Sequence, residues 1–242
     1  MSPKPVRFLK NQEIEELTEH RLRDYERLTS RNLEPPVPLG RMIVKLFGVS
    51  EAWDDIEEEA GETILGTLRP EVREIVLNAR REELFKQYPG LERATQGHEL
   101  GHWDLHTNEG ALLSGNLFDD APPSFYREAK NGRVVSLCAI AKHLHREADV
   151  YELLVGLEGR EPSWMRRQAE HYAGCILVPR FLLVPRLRQV DLTQWPSIYG
   201  LAEQFGVSAT LMKVRLCKLK LLVERDGALF TPDEAVGQKT LW

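Results

Sequence analysis

The run His98-Glu99-Leu100-Gly101-His102 carries the residue types and the spacing for chemistry. On an α-helix, residues four apart share a face, one turn along the axis. Two imidazoles so placed can converge on one tetrahedral metal ion, most often zinc. Glu99 sits on the flank of that face. A carboxylate there can reach a water and act as its general base, which is the chemistry of a zinc peptidase. The competing expectation is a surface helix with two solvated histidines. The neighbours argue against it: Leu100, Trp103 and Leu105 are apolar, and Gly101 permits close backbone approach. Asp104 and His106 follow, and either is placed to orient a ligand imidazole. His106 lies eight residues after His98, so it is rotated by about 80° and is expected to be a poor direct ligand.

These residues must be held by other elements. Residues 11–30 form an amphipathic helix with Ile14, Leu17, Leu22 and Tyr25 at rough helical spacing. The prolines around Pro35-Pro36 break the chain, and a short helix over RMIVKLFG follows. Between Glu51 and Glu62, seven of twelve residues are carboxylates, which predicts a solvated face or loop. Next, ETILGTLRP and REIVLNA read as two strands joined by a turn at Arg69-Pro70-Glu71. Residues 81–106 are helical in pattern, interrupted at Pro89-Gly90. Residues 107–132 are loop-like and begin an insert that runs to about 160. A second helix spans Ser163 to Val178, with Ser163 as N-cap and Pro179 as its stop. The expected organisation is an N-terminal helix (1–30), a catalytic domain (31–190) and a C-terminal module (191–242).

Composition sets the outer limits. The chain has 242 residues, 42% hydrophobic and 29% charged, which is ordinary for a globular protein. A net charge of -5 and a pI of about 5.9 disfavour a whole-surface grip on nucleic acid. There is no apolar run long enough for a membrane span and no apolar leader core. Cys138, Cys175 and Cys217 are odd in number and far apart, so neither a disulfide framework nor a metal knuckle is expected. The reading is a cytoplasmic protein with reduced thiols, in no contact with membrane.

Thr95-Gln96-Gly97-His98-Glu99-Leu100-Gly101-His102-Trp103-Asp104-Leu105-His106 resembles the active-site helix of the ImmA/IrrE metallopeptidases. Upstream, Pro35-Pro36-Val37-Pro38, Leu65-Gly66-Thr67-Leu68 and Ile75-Val76-Leu77-Asn78 are similar to that family's succession of motifs. Downstream, the segment Gln168 to Pro179 resembles its second helix motif. The resemblance covers roughly residues 30–225. It implies an α+β fold, a thermolysin-like zincin core with a small β-sheet beside the HExxH helix. It also implies a C-terminal helix-turn-helix-like module. The implied activity is that of a zinc-dependent endopeptidase. The implied partner is a helix-turn-helix repressor of Xre type, whose cleavage derepresses a mobile element or stress regulon.

The resemblance places a third zinc ligand, a glutamate, where this chain has Arg166. A guanidinium has no acceptor and cannot bind zinc. Glu170, one turn on, is the first candidate to complete the site with His98 and His102. Glu147, Glu152 or a histidine of the insert are others. The remaining possibility is a degenerate site on a non-catalytic regulator that binds such a partner, as in a toxin–antitoxin pair. His143, His145 or His171 could stabilise an oxyanion, although partly exposed helix histidines are the plainer reading. Cys175 reads as a small core residue, and Cys138 as structural. In the tail, Ala202, Gly206 and Ser208 fit a helix-turn-helix, and Lys213, Arg215, Lys218 and Lys220 make its second helix basic. Nucleic-acid binding through this tail is a further possibility, with packing against the peptidase the plainer one.

Overall fold

A computed structural model of the chain describes residues 8–58, 63–107, 164–225 and 227–237. Cys138, His143, His145, Glu147, Glu152, Ser163 and nearly all of the expected insert lie outside the described residues.

The first helix, α1 (Asn11–Thr29), buries Ile14, Thr18, Leu22 and Tyr25 along one stripe. Leu17 does not join that stripe. Residues 35 and 36 are joined by a cis peptide, and α2 (Leu39–Lys45) follows. A three-stranded sheet comes next, with β1 (Ser50–Asp54), β2 (Gly66–Arg69) and β3 (Glu74–Asn78) in the order β1-β3-β2. The expected hairpin is β2 against β3, antiparallel, with Thr67 opposite Val76. The central strand β3 buries Ile75, Val76, Leu77 and Asn78, as its unbroken apolar run requires. Asn78 donates to the Ile64 carbonyl at 2.8 Å and accepts from the Arg80 N–H at 3.1 Å, so its burial leaves its amide satisfied.

The sheet narrows one expectation, a solvated face or loop, to the first of the two. The start of the acidic run is not loop but β1, parallel to β3 with Ala52 beside Val76. It is an edge strand whose side chains are mostly exposed. An edge needs no apolar alternation, so composition concealed it.

Helix α3 (Glu82–Gln87) leads to the long helix α4 (Pro89–His106). Buried positions on α4 are Leu91, Thr95, Gly97, Glu99, Leu100, Gly101, Trp103 and His106. They cover more than one face, because α4 lies between the sheet and helix α5 (Trp164–Leu177). In turn, α5 is packed on by α1. Helix α6 (Arg180–Leu183) follows the stop at Pro179.

The last module contains α7 (Trp195–Phe205), α8 (Ala209–Lys218), a hairpin of β4 (Val223–Arg225) and β5 (Ala228–Phe230), and α9 (Pro232–Gly237). The turn between α7 and α8 is built as the sequence predicts. Gly206 is left-handed at φ 62°, and Ser208 Oγ accepts from the Leu211 N–H at 3.1 Å. Two of the basic residues of α8 face inward. Lys213 pairs with Glu224 at 2.8 Å, and the buried Arg215 pairs with Glu15 on α1. These cations hold protein together and are not free for phosphate. Among the described residues, no helix is long and apolar enough to cross a membrane. The fold is thus mixed helix and small sheet, compatible with the α+β class.

Candidate metal centre

The site begins with a close helix crossing. A Cβ on Gly101 would lie 2.9 Å from Ala169 Cα and 3.0 Å from Ala169 O. One turn earlier, a Cβ on Gly97 would lie 3.2 Å from Ala173 Cβ. Two glycines on α4 facing two alanines on α5 let the backbones approach and bring the polar residues of both helices into one layer.

In that layer, His98 Nε2 and His102 Nε2 lie 3.1 Å apart. Two nitrogens bound tetrahedrally at about 2.05 Å would be separated by about 3.3 Å. The pair therefore fits a zinc ion with little movement. Both imidazoles stay neutral and so keep lone pairs to offer. His98 is pushed down to about 3, by burial first and then by the charges of Arg166 and His106. His102 is pushed well below the ordinary histidine range, mainly by burial and then by His98, His106 and Arg166.

Glu99, on the same helix, is buried, and burial pushes its carboxyl up to about 8.

The third position is different in kind. Arg166 contributes its charge to both imidazoles and donates through Nε to Glu170 Oε1 at 3.1 Å. Burial raises the Glu170 pKa, against the opposing pull of Arg166. Among the described residues, no carboxylate, cysteine or further histidine brings a ligand atom within 4.8 Å of both imidazoles of the pair. Two imidazoles face each other here, and the charged neighbour that bears on both is a guanidinium, not a carboxylate.

The two neighbours expected to orient a ligand part company. His106 Nδ1 lies 3.1 Å from His102 Nδ1, and His106 Nε2 lies 3.1 Å from Gln168 Oε1. Asp104 instead accepts from Arg21 Nη2 at 2.7 Å and from the Tyr172 hydroxyl at 2.9 Å. It ties α4 to α1 and α5 and orients no imidazole. The reason is angular: Asp104 sits half a turn from His102 and faces α1.

His171 is not at this centre. Its Nε2 is 3.2 Å from Asn11 O and 3.6 Å from Cys175 Sγ. An oxyanion role for it is corrected to a packing one. Glu15, His171 and Cys175 do bring three potential ligand atoms within 4.8 Å of one another. Sequence spacing gave no sign of this, because Glu15 comes from α1. Arg215 already bonds both oxygens of Glu15 and supplies the positive charge there. The Cys175 thiol donates to Glu15 Oε2 at 3.1 Å and is pushed up to about 12 by burial, so it stays protonated. The cluster reads as a buried polar tie between α1, α5 and α8.

No known family profile matches the chain, and no curated protein matches it in sequence. Among solved structures, a Mycobacterium tuberculosis transcriptional regulator is similar over 85% of this chain and 46% of its own, with TM-score 0.40 and 14% identity. The chain thus spans about half the length of that regulator.

Proposed function

We propose that the protein is a zinc-dependent endopeptidase of ImmA/IrrE type that cleaves a protein partner, a helix-turn-helix repressor. One observation carries this reading: two neutral imidazoles, Nε2 to Nε2 at 3.1 Å, with a buried carboxyl on the next residue of the same helix. The motif resemblance supplies the substrate class. His98 and His102 would hold zinc, with Glu170 as the candidate third ligand once Arg166 releases it. Zinc there would supply a Lewis acid that lowers the pKa of a water to near 7. Glu99 takes a proton from the attacking water and passes it to the leaving nitrogen. The close crossing of α4 and α5 keeps bulk water from one side of the site.

The reading is tested with untagged protein. Elemental analysis should find about one zinc per chain, and helix-turn-helix peptides should be cut by the parent but not by Glu99→Gln. Less than about a tenth of an equivalent of zinc, even after zinc is offered, would overturn it.

The Arg166–Glu170 pair favours a second reading. In that reading the chain binds the repressor or an antitoxin without cutting it, on a degenerate peptidase fold. Partner binding that persists in Glu99→Gln, with no zinc and no cleavage in the parent, would select it.

A further inference from the structure

His106 and Gln168 are not ligands, yet they form an unbroken path from His102 to the main chain of the N-terminal segment. The Gln168 side-chain amide donates through Nε2 to the Leu9 carbonyl. A carbonyl oxygen can only accept, so this contact fixes which end of the amide is nitrogen. Oε1 therefore faces His106 Nε2, 3.1 Å away. An amide oxygen also only accepts, so His106 must carry its proton on Nε2. A neutral imidazole has one N–H, which leaves His106 Nδ1 bare. His106 Nδ1 lies 3.1 Å from His102 Nδ1. One of two facing nitrogens must donate, and the donor is His102. The proton of His102 is then on Nδ1, and its Nε2 presents a lone pair toward His98. Trp164 stands edge to face with His106, ring centroids 5.5 Å apart, and limits rotation of that ring.

We infer that Gln168 and His106 form a tautomer relay that presets His102 Nε2 as a bare acceptor, making both of them positioning residues for a metal ligand. The meaning of this for zinc rests on the proposed metal site; the tautomer itself does not. Metal-binding histidines ordinarily have their second nitrogen oriented by a carboxylate or a carbonyl. Here an imidazole does it, and an amide orients that imidazole in turn. The relay also separates the two ligands. His98 Nε2 faces the bare Nε2 of His102, so without metal His98 donates through Nε2. Taking up a metal moves the proton of His98 to Nδ1 and leaves His102 unchanged.

The experiment uses the full chain, labelled with 15N-histidine and stripped by chelator, because bare and protonated ring nitrogens differ widely in nitrogen shift. His102 should show Nδ1 protonated and Nε2 bare, and His106 the reverse. A His102 protonated mainly on Nε2 overturns the relay. Titration with zinc alone then separates the two readings. A chain with the expected His102 tautomer that binds no zinc upholds the relay and overturns the metal site. If zinc binds, Gln168→Met should weaken it by about 10- to 100-fold, as for other outer partners of metal ligands. Gln168→Glu keeps an acceptor toward His106 Nε2 but sets its other oxygen against the Leu9 carbonyl, so it should lose less zinc affinity than Gln168→Met. Equal losses in the two variants, with native circular dichroism, would mean that Gln168 acts by packing and would overturn the relay.

Discussion

Arg166 donates through Nε to Glu170 Oε1 at 3.1 Å, so the guanidinium beside the histidine pair holds the carboxylate proposed to join it. The charge of Arg166 also bears on both imidazoles. A cation brought to His98 and His102 meets that charge first. At an effective dielectric near 20, a unit charge about 4 Å away opposes another by about 4 kcal/mol. Arg166→Glu should therefore raise zinc affinity at least about tenfold, and peptide cleavage with it. Competition with a chromophoric chelator measures this. No gain would place the missing ligand outside α5.

Glu99 can be probed through stability as well as activity. Its carboxyl is pushed up to about 8 in the folded chain, by burial. A group with a raised folded pKa contributes stability that is present below its unfolded pKa and lost as pH rises through the folded one. The metal-free protein should thus lose a few kcal/mol between about pH 4.5 and pH 8, and Glu99→Gln should flatten that dependence. The same variant, loaded with zinc, should lose at least about 100-fold in cleavage while keeping its metal. Thermal melts across pH, with and without the substitution, decide the first half.

The α4–α5 crossing has no room for a methyl group. Gly101→Ala would set a Cβ 2.9 Å from Ala169 Cα, which is backbone and cannot swing aside. A cost of about 1 to 3 kcal/mol is expected, read as a lowered denaturation midpoint. Zinc affinity should fall in parallel, since the crossing sets the layer in which the ligands meet. Unchanged stability would mean that the helices are not so closely apposed.

Arg215 is buried to 2% exposure and pairs with Glu15. Burial raises the Glu15 pKa, but hydrogen bonds and charge from Arg215 outweigh it and hold the carboxyl below its ordinary value. That contribution is present above the usual carboxylate range and fades as pH falls through the lowered folded pKa. Arg215→Met alone should cost about 3 to 5 kcal/mol, because it leaves Glu15 uncompensated. Adding Glu15→Gln should recover much of the loss. Denaturant unfolding of the two single variants and the double variant checks the coupling.

The legible parts of the chain were those with local signals. The α4 pattern, the β2–β3 hairpin, the helix stop at Pro179 and the Gly206–Ser208 turn each rest on a few adjacent residues, and the structure forms all four. The edge strand β1 was hidden, because its pairing partner lies beyond the acidic run. Within the site, the spacing of His98 and His102 announced their meeting, since a helix alone enforces it. Gly101 marked a close backbone approach on α4, but nothing local marked what would face it on α5. That Gln168 would face His106, and Asp104 would turn to Arg21, depends on how helices far apart in sequence rotate against each other. The inward turn of Lys213 and Arg215 was equally invisible, because a basic stripe looks the same in sequence whether it faces water or a buried carboxylate.

The Glu15–Arg215 pair spans 200 positions of the chain. During synthesis, Glu15 must wait for 200 further residues before its partner exists. Until then α1 can lay its apolar stripe on α5, but it has a carboxylate it cannot bury without penalty. Full locking of α1 thus waits for α8. A nascent chain released before α8 is complete would hold α1 only loosely. Because α1 also carries Arg21, the partner of Asp104 on α4, such a fragment would have its candidate metal layer poorly braced.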